Sequence, residues 1–166
     1  MLNKIAFLLL VLALPFAGLS QTATPEAILK VSGEVKTPLS LTKDDLAKMK
    51  RTGAILKDRD GKEVPYTGVA LQDVLEMAGV TLGRELRGEN LVKYVLVKCA
   101  DGYEVLFSLA EIDKGFTDRV IILADESMGK PLPVAKGPFR IIVPGEKVPA
   151  RSSFQVVEIV IAFAKD

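Results

Sequence analysis

The chain has 166 residues, with 22 Lys and Arg against 21 Asp and Glu, and it contains neither histidine nor tryptophan. This balanced charge argues against nucleic acid or an anionic membrane as the main partner, because both require positive charge gathered on one face. The lack of histidine excludes ordinary serine and cysteine triads and most zinc sites. The length suits one domain with a proper core.

The N-terminus has the layout of a secretory signal peptide. Lys4 precedes an apolar run at 5–16, and small residues follow up to Ser20. We therefore predict a Sec-type signal peptide at 1–20 that is cleaved after Ser20, and a periplasmic or secreted protein that has no membrane segment after cleavage. An uncleaved anchor or a buried helix is the alternative interpretation. Residues 21–27 form a polar lead-in, and the leader has no arginine pair.

The first predicted elements are a strand at 28–33 and a short helix that runs through Met49. Thr42 with Asp45 forms a capping box that begins this helix. Two strands, at 54–57 and 62–66, flank the dipeptide Asp60-Gly61, which is a strong hairpin signal because both residues tolerate positive φ. The run Asp58, Asp60 and Gly61 gives a calcium loop as the alternative to a plain turn, but the third acidic position and the distant glutamate of the full ligand set are missing.

The rest of the chain continues as short strands and short helices. Apolar residues at helical spacing predict a helix at 71–78, followed by Gly79 as its cap. Ser108 and Glu111 form a second capping box. The further predicted strands lie at 92–99, 103–107, 120–124, 139–143 and 155–163. This order predicts one α+β domain over 28–166, with a mixed β-sheet and several short helices.

Cys99 is the single cysteine, so an internal disulfide is excluded. On the predicted strand it shares one face with Val95 and Val97, while Lys98 points to the other face. We predict that it is a buried thiol that packs as a small apolar group. A reactive or metal-binding role is the alternative.

Three segments resemble the oxidoreductase molybdopterin-binding domain, the fold of sulfite-oxidase-like enzymes. They are YTGVALQDVLEMAGV at 66–80, ADGYEVLFSLAEID at 100–113, and PLPVAKGPFRIIVPG at 131–145 with EKVPARSSF after it. The resemblance covers most of residues 28–163. It implies a sulfite-oxidase-like fold, and it is the only ground for expecting molybdopterin as a cofactor.

The resemblance also implies a cysteine thiolate that binds molybdenum, on the strand before Tyr66-Thr67-Gly68. In this chain Lys57 or Asp58 stands roughly at that place, and neither replaces a soft sulfur donor. Lys136 stands where the family often has histidine, and Phe154 or its neighbour stands where the pterin-binding enzymes have lysine. We therefore expect no bound cofactor and no metal site.

Four basic residues fall in the region that binds the pterin in the family: Lys136, Arg140, Lys147 and Arg151. They are our candidates for binding an anion or a cofactor, because guanidinium groups suit phosphates and carboxylates. The alternative is that they are solvated surface charges, with Arg140 pointing outward from a strand whose Phe139 and Ile141 point inward. Tyr66 and Tyr103 are interpreted as aromatic residues that pack turns.

Three functions stay open from the sequence. The first, which we favour, is an exported, non-catalytic domain that binds a small anionic ligand or an envelope partner. The second is a molybdopterin-dependent oxidoreductase of the sulfite-oxidase-like class. The third is a protein-interaction module without a small-molecule ligand. The sequence names no catalytic residue, and it leaves the oligomeric state open.

Overall fold

The computed structural model describes residues 27–164. The predicted leader at 1–20 and residues 21–26 of the lead-in lie outside this range. Within it, no helix has both the length and the apolar character needed to cross a bilayer. The strands are β1 (Leu29–Gly33), β2 (Leu39–Leu41), β3 (Arg51–Lys57), β4 (Glu63–Ala70), β5 (Lys93–Cys99), β6 (Glu104–Ser108), β7 (Ile122–Ser127), β8 (Lys130–Pro131), β9 (Arg140–Ile142) and β10 (Val156–Phe163).

Short helices connect these strands. The α-helices are α1 (Lys43–Lys48) and α2 (Leu71–Met77), and the 3-10 turns are Gly83–Glu85, Gly88–Val92, Leu109–Glu111 and Pro149–Arg151. Both predicted capping boxes are confirmed: the amide of Asp45 donates to Thr42 Oγ1 at 3.2 Å, and that of Glu111 donates to Ser108 Oγ at 3.3 Å. Gly79 follows α2 with a φ of +70°, as a left-handed cap requires.

The strands form two sheets. Sheet 1 has the order β2-β1-β10-β5-β6, and sheet 2 has the order β3-β4-β7-β8, with β9 also paired to β7. The pair β1–β10 is parallel and the other pairs are antiparallel, so the predicted mixed α+β architecture is confirmed. Both predicted hairpins form, as β3–β4 and β5–β6.

The main core lies between the inner face of sheet 1, helix α2 and one face of sheet 2. Phe107, Ile159, Leu75 and Leu123 are completely buried there. A smaller core covers the opposite face of sheet 2 and includes Leu56, Tyr66, Ile122, Ala124 and Ile142. Residues of β7 and β9 are therefore buried on both faces of sheet 2. Arg140 lies on β9, so its side chain is also buried.

Candidate functional site

The β3–β4 hairpin ends in a tight turn at 58–62. The amide of Asp58 donates to the carbonyl of Lys62 at 2.8 Å, and the amide of Gly61 donates to the carbonyl of Asp58 at 2.9 Å. The Asp58 carboxylate accepts the amide of Arg59 at 2.9 Å. This carboxylate therefore stabilises the turn, and the Arg59 side chain lies at the exposed tip of the hairpin.

A groove of about 700 Å³ separates this hairpin from the loop that follows β9. We call it the hairpin cleft. One wall is formed by the loop residues Gly145, Glu146, Lys147, Val148 and Pro149. The other wall is formed by the hairpin residues Ile55, Lys57, Asp58, Arg59, Gly61 and Glu63. A smaller pocket of about 260 Å³ adjoins the cleft, and Arg59 and Pro149 line both.

The hairpin cleft carries three cations and three carboxylates. The carboxylate of Glu146 is already paired with Arg151, and that of Asp58 accepts a hydrogen bond from its own turn. The side chains of Lys57, Arg59 and Lys147 are exposed and have no ion-pair partner among the described residues. Glu63 likewise has no ion-pair partner among these residues, so the groups left to face a ligand are three cations and the two carboxylates of Asp58 and Glu63.

Arg140 is buried, so its interpretation as a surface charge is wrong. Only 4% of the residue is exposed, because β9 is covered on both faces and the alternation of inward and outward side chains does not apply. Its Nε and Nη2 atoms both donate to the carbonyl of Ser152 at 3.3 Å, and Nη1 donates to the hydroxyl of Tyr66. Burial lowers the pKa of Arg140, while Tyr66 and Asp58 act in the opposite direction.

Two aromatic rings enclose this guanidinium. Its central carbon lies 4.0 Å from the ring centre of Phe154 and 4.8 Å from that of Tyr66. Gln155 adopts a left-handed φ of +50° directly after Phe154, and its side-chain amide donates to the carbonyl of Val134 at 3.1 Å. Arg140 is thus held by protein groups and does not line the hairpin cleft.

Arg151 belongs to a network of ion pairs. Its guanidinium pairs with Glu146, and its Nη1 lies 3.0 Å from Glu111 Oε1. It also stacks 4.7 Å from the ring centre of Phe107 and donates to the carbonyl of Leu106 at 3.3 Å. These contacts tie the loop before β10 to the edge strand β6, so the charge of Arg151 is compensated within the fold.

The carboxyl group of Glu111 links this network to acid stability. Burial would raise its pKa, but hydrogen bonds from the Ser108 amide and the Arg151 guanidinium outweigh burial and lower it below the ordinary 4.5. Because the folded pKa is depressed, this stabilisation is present above about pH 4.5 and is lost as the pH falls through the folded value.

We expect Glu111→Gln to have a lower free energy of unfolding than the wild type at pH 7. As the pH falls from about 4.5 to 3, the difference in unfolding free energy between the two proteins should become smaller. Urea denaturation curves at each pH measure this difference. If the two proteins keep a constant difference over this range, the carboxylate does not contribute in the way described.

The four predicted candidates do not meet in one cavity. Lys147 lines the hairpin cleft, Arg140 is enclosed, and Arg151 is paired with carboxylates. Lys136 is exposed in the loop between β8 and β9, with its ammonium 5.5 Å from the Phe154 ring centre. Sequence reasoning missed Arg59 as a site residue, and the Asp60-Gly61 turn that displays it was the only available signal.

Cys99 lies at the end of β5 and is 5% exposed, as predicted. Burial raises the pKa of its thiol, and the hydroxyl of Ser153 partly opposes this change. The sulfur lines neither the hairpin cleft nor the adjoining pocket. It is therefore poorly placed to bind a metal that enters from solvent.

We expect the Cys99 thiol of the native protein to react at least about 100 times more slowly with a disulfide reagent than the thiol of the unfolded protein at the same pH. The absorbance of the released thiolate gives both rates, and the denatured protein serves as the control for one titratable thiol. Rapid labelling of the native protein would show that the thiol is accessible.

The donor atoms at the cleft do not fit a molybdenum cofactor. Lys57 and Asp58 stand where the resemblance places the sulfur ligand, and an ammonium group cannot bind a cation. Among the described residues, no group of three or more cysteine or carboxylate side chains is arranged to hold a metal ion. The two arginines that could bind a pterin phosphate already have protein partners.

Comparison with known proteins is consistent with this fold. The model of the oxidoreductase molybdopterin binding domain matches residues 53–162. The solved structure of the sulfane dehydrogenase SoxCD from Paracoccus pantotrophus matches with a TM-score of 0.63 and 22% identity, over 84% of this chain and 38% of that one. This chain therefore spans well under half of that neighbour, and the likeness concerns the fold. No curated protein matches the sequence. The chain belongs to the oxidoreductase molybdopterin-binding domain family.

Proposed function

We propose that this protein is an exported, non-catalytic member of its family that binds a small anionic ligand in the hairpin cleft. The observation that carries the proposal is a set of three cations, Lys57, Arg59 and Lys147, that line one groove of about 700 Å³ and have no ion-pair partner among the described residues. That volume suits a small molecule. Glu63 and Asp58 favour a ligand that carries hydrogen-bond donors besides its anionic group.

The donor set argues for binding without redox chemistry. A thiolate is the soft ligand that a transition metal selects, and the one thiol of this chain is buried away from the cleft. The oxidoreductase alternative therefore has the family relationship as its support, and the cleft residues do not favour it.

A screen of phosphate, dicarboxylates and pterins by thermal denaturation tests the proposal. A ligand that binds only the native state stabilises it by about 2.7 kcal/mol at about 100 times its Kd, which raises the midpoint by several degrees. We expect Arg59→Ala and Lys147→Ala each to weaken binding about fivefold or more. Lys136→Ala, an exposed lysine outside the cleft, is the matched control. If no anion shifts the midpoint, the ligand proposal fails.

An envelope partner is the second candidate for the same cleft. Ile55 and Val148 are 56% and 61% exposed at its rim, where they could contact apolar side chains of a peptide. A crosslinker attached at residue 148 in a Val148→Cys variant, with Cys99→Ser to remove the native thiol, would capture such a partner. Capture at this position with no anion-dependent stabilisation would favour the partner over the small ligand.

A further inference from the structure

We propose that the outer face of sheet 1 is the interface of a symmetric homodimer. This face is opposite the main core and separate from the hairpin cleft, so the proposal does not depend on the ligand. It rests on the register of four adjacent strands, β1, β10, β5 and β6, and on the charges and apolar groups which that register aligns.

One row of outward side chains alternates in charge across the sheet. The register places Lys30 beside Glu158, Glu158 beside Lys98, and Lys98 beside Glu104. The ammonium of Lys98 lies 3.2 Å from a carboxylate oxygen of Glu158. The order of charge from β1 to β6 is therefore plus, minus, plus, minus.

The next two rows are largely apolar. The apolar residues are Val160, Leu96 and Leu106 in one row and Ala162 and Tyr94 in the row beyond. Ser32 on β1 completes the first of these rows, and Ser108 on β6 completes the second. Leu106 is 51% exposed on the edge strand, and the other four apolar residues are only partly buried. Leu106 is a large aliphatic side chain on this outer face, and it belongs to neither of the two cores described above.

This pattern is self-complementary under a two-fold axis that runs along the strands between β10 and β5. Such an axis reverses the order of the strands and turns the two faces toward each other, while each row stays opposite itself. Lys30 then faces Glu104 of the second copy, and Glu158 faces Lys98 of the second copy. In the second row, Leu96 faces Val160 of the second copy, and Leu106 faces Ser32. Isologous contacts of this kind are the commonest in homo-oligomers.

The geometry limits the strength of the dimer. Four strands about 4.8 Å apart and three rows about 7 Å apart give a patch of about 19 by 20 Å on each copy. Two such patches bury on the order of 800 Å², below the standard size for specific interfaces, so we expect a weak dimer with a dissociation constant on the order of 100 µM.

Exchanging the charges of Lys30 and Glu104 tests the dimer specifically, because these two side chains are too far apart to contact each other within one chain. The two residues lie on strands three positions apart, about 14 Å within one copy, yet they face each other across the dimer. We expect Lys30→Glu or Glu104→Lys alone to weaken dimerisation about tenfold, because each creates two like-charge contacts. The double variant, and an equimolar mixture of the two single variants, should recover it.

Sedimentation velocity from about 2 to 200 µM on the purified protein, with its N-terminus defined by mass spectrometry, measures these constants. The Leu96→Glu variant should not form the dimer, and circular dichroism shows whether this variant is folded. If it is unfolded, the charge variants at Lys30 and Glu104 still test the proposal. If the wild-type protein is a monomer at 200 µM, the proposal is wrong. This holds also if the reason is that another part of this chain covers the face. A dimer insensitive to Lys30→Glu would place the interface elsewhere.

Discussion

Replacing Gly68 with alanine is expected to destabilise the protein by about 3 kcal/mol, or about 10 °C in the thermal midpoint. Gly68 lies in β4 beside β7, where the register of this pair shifts. A Cβ atom at this position would lie 2.1 Å from the carbonyl oxygen of Leu123 and 2.6 Å from the Cα atom of Ala124. Both are backbone atoms of completely buried residues in β7, so the sheet itself would have to move.

Gly53→Ala is the matched control for this substitution. Gly53 lies on the neighbouring strand β3, and its Cβ would meet the carbonyl oxygen of Tyr66 at an ordinary 3.6 Å. We expect a change within about 0.5 kcal/mol, measured by urea denaturation. If the two variants were equally stable, the close approach of β4 and β7 would not be what requires glycine in the Tyr66-Thr67-Gly68 motif.

Arg140→Ala is expected to reduce the free energy of unfolding by about 3 kcal/mol. The substitution leaves the carbonyl of Ser152 without its two donors, removes the cation between Tyr66 and Phe154, and opens a cavity beside the smaller core. Relief from burying the charge offsets part of this loss. Lys136→Ala, which removes an exposed cation near the same ring, should change stability by less than about 0.5 kcal/mol.

Arg140→Met separates packing from charge. Methionine fills much of the same volume without a buried cation, so it should recover part of the stability that alanine loses and still be less stable than wild type. A methionine variant at least as stable as wild type would show that burying the guanidinium costs more than its hydrogen bonds and ring contacts return.

Features determined by neighbouring residues could be predicted from the sequence. Both capping boxes are three residues long, and both hairpins close over short turns, so their contacts are local. The periodicity of 71–78 similarly indicated α2. The division of the strands between two sheets could not be predicted in this way, because it depends on pairs such as Val31 with Ile159, which are far apart in the chain.

The candidate site was harder to predict for the same reason. Proximity in the chain suggested that Lys136, Arg140, Lys147 and Arg151 act together, but β9 points Arg140 into a core while Arg151 turns toward Glu111. Arg59 and Lys147 line the same cleft only because the hairpin packs near the loop at 145–149. Alternation along β9 failed because that strand has no solvent face.

The central claim is that this scaffold keeps the fold of its family without a place for molybdenum. Metal analysis by mass spectrometry of the protein purified from its native host, grown with ample molybdate, tests this most directly. We predict far less than one equivalent of molybdenum, with an unchanged value in Cys99→Ser. A content close to one equivalent that disappears in Cys99→Ser would contradict the account, because the buried thiol would then be a metal ligand.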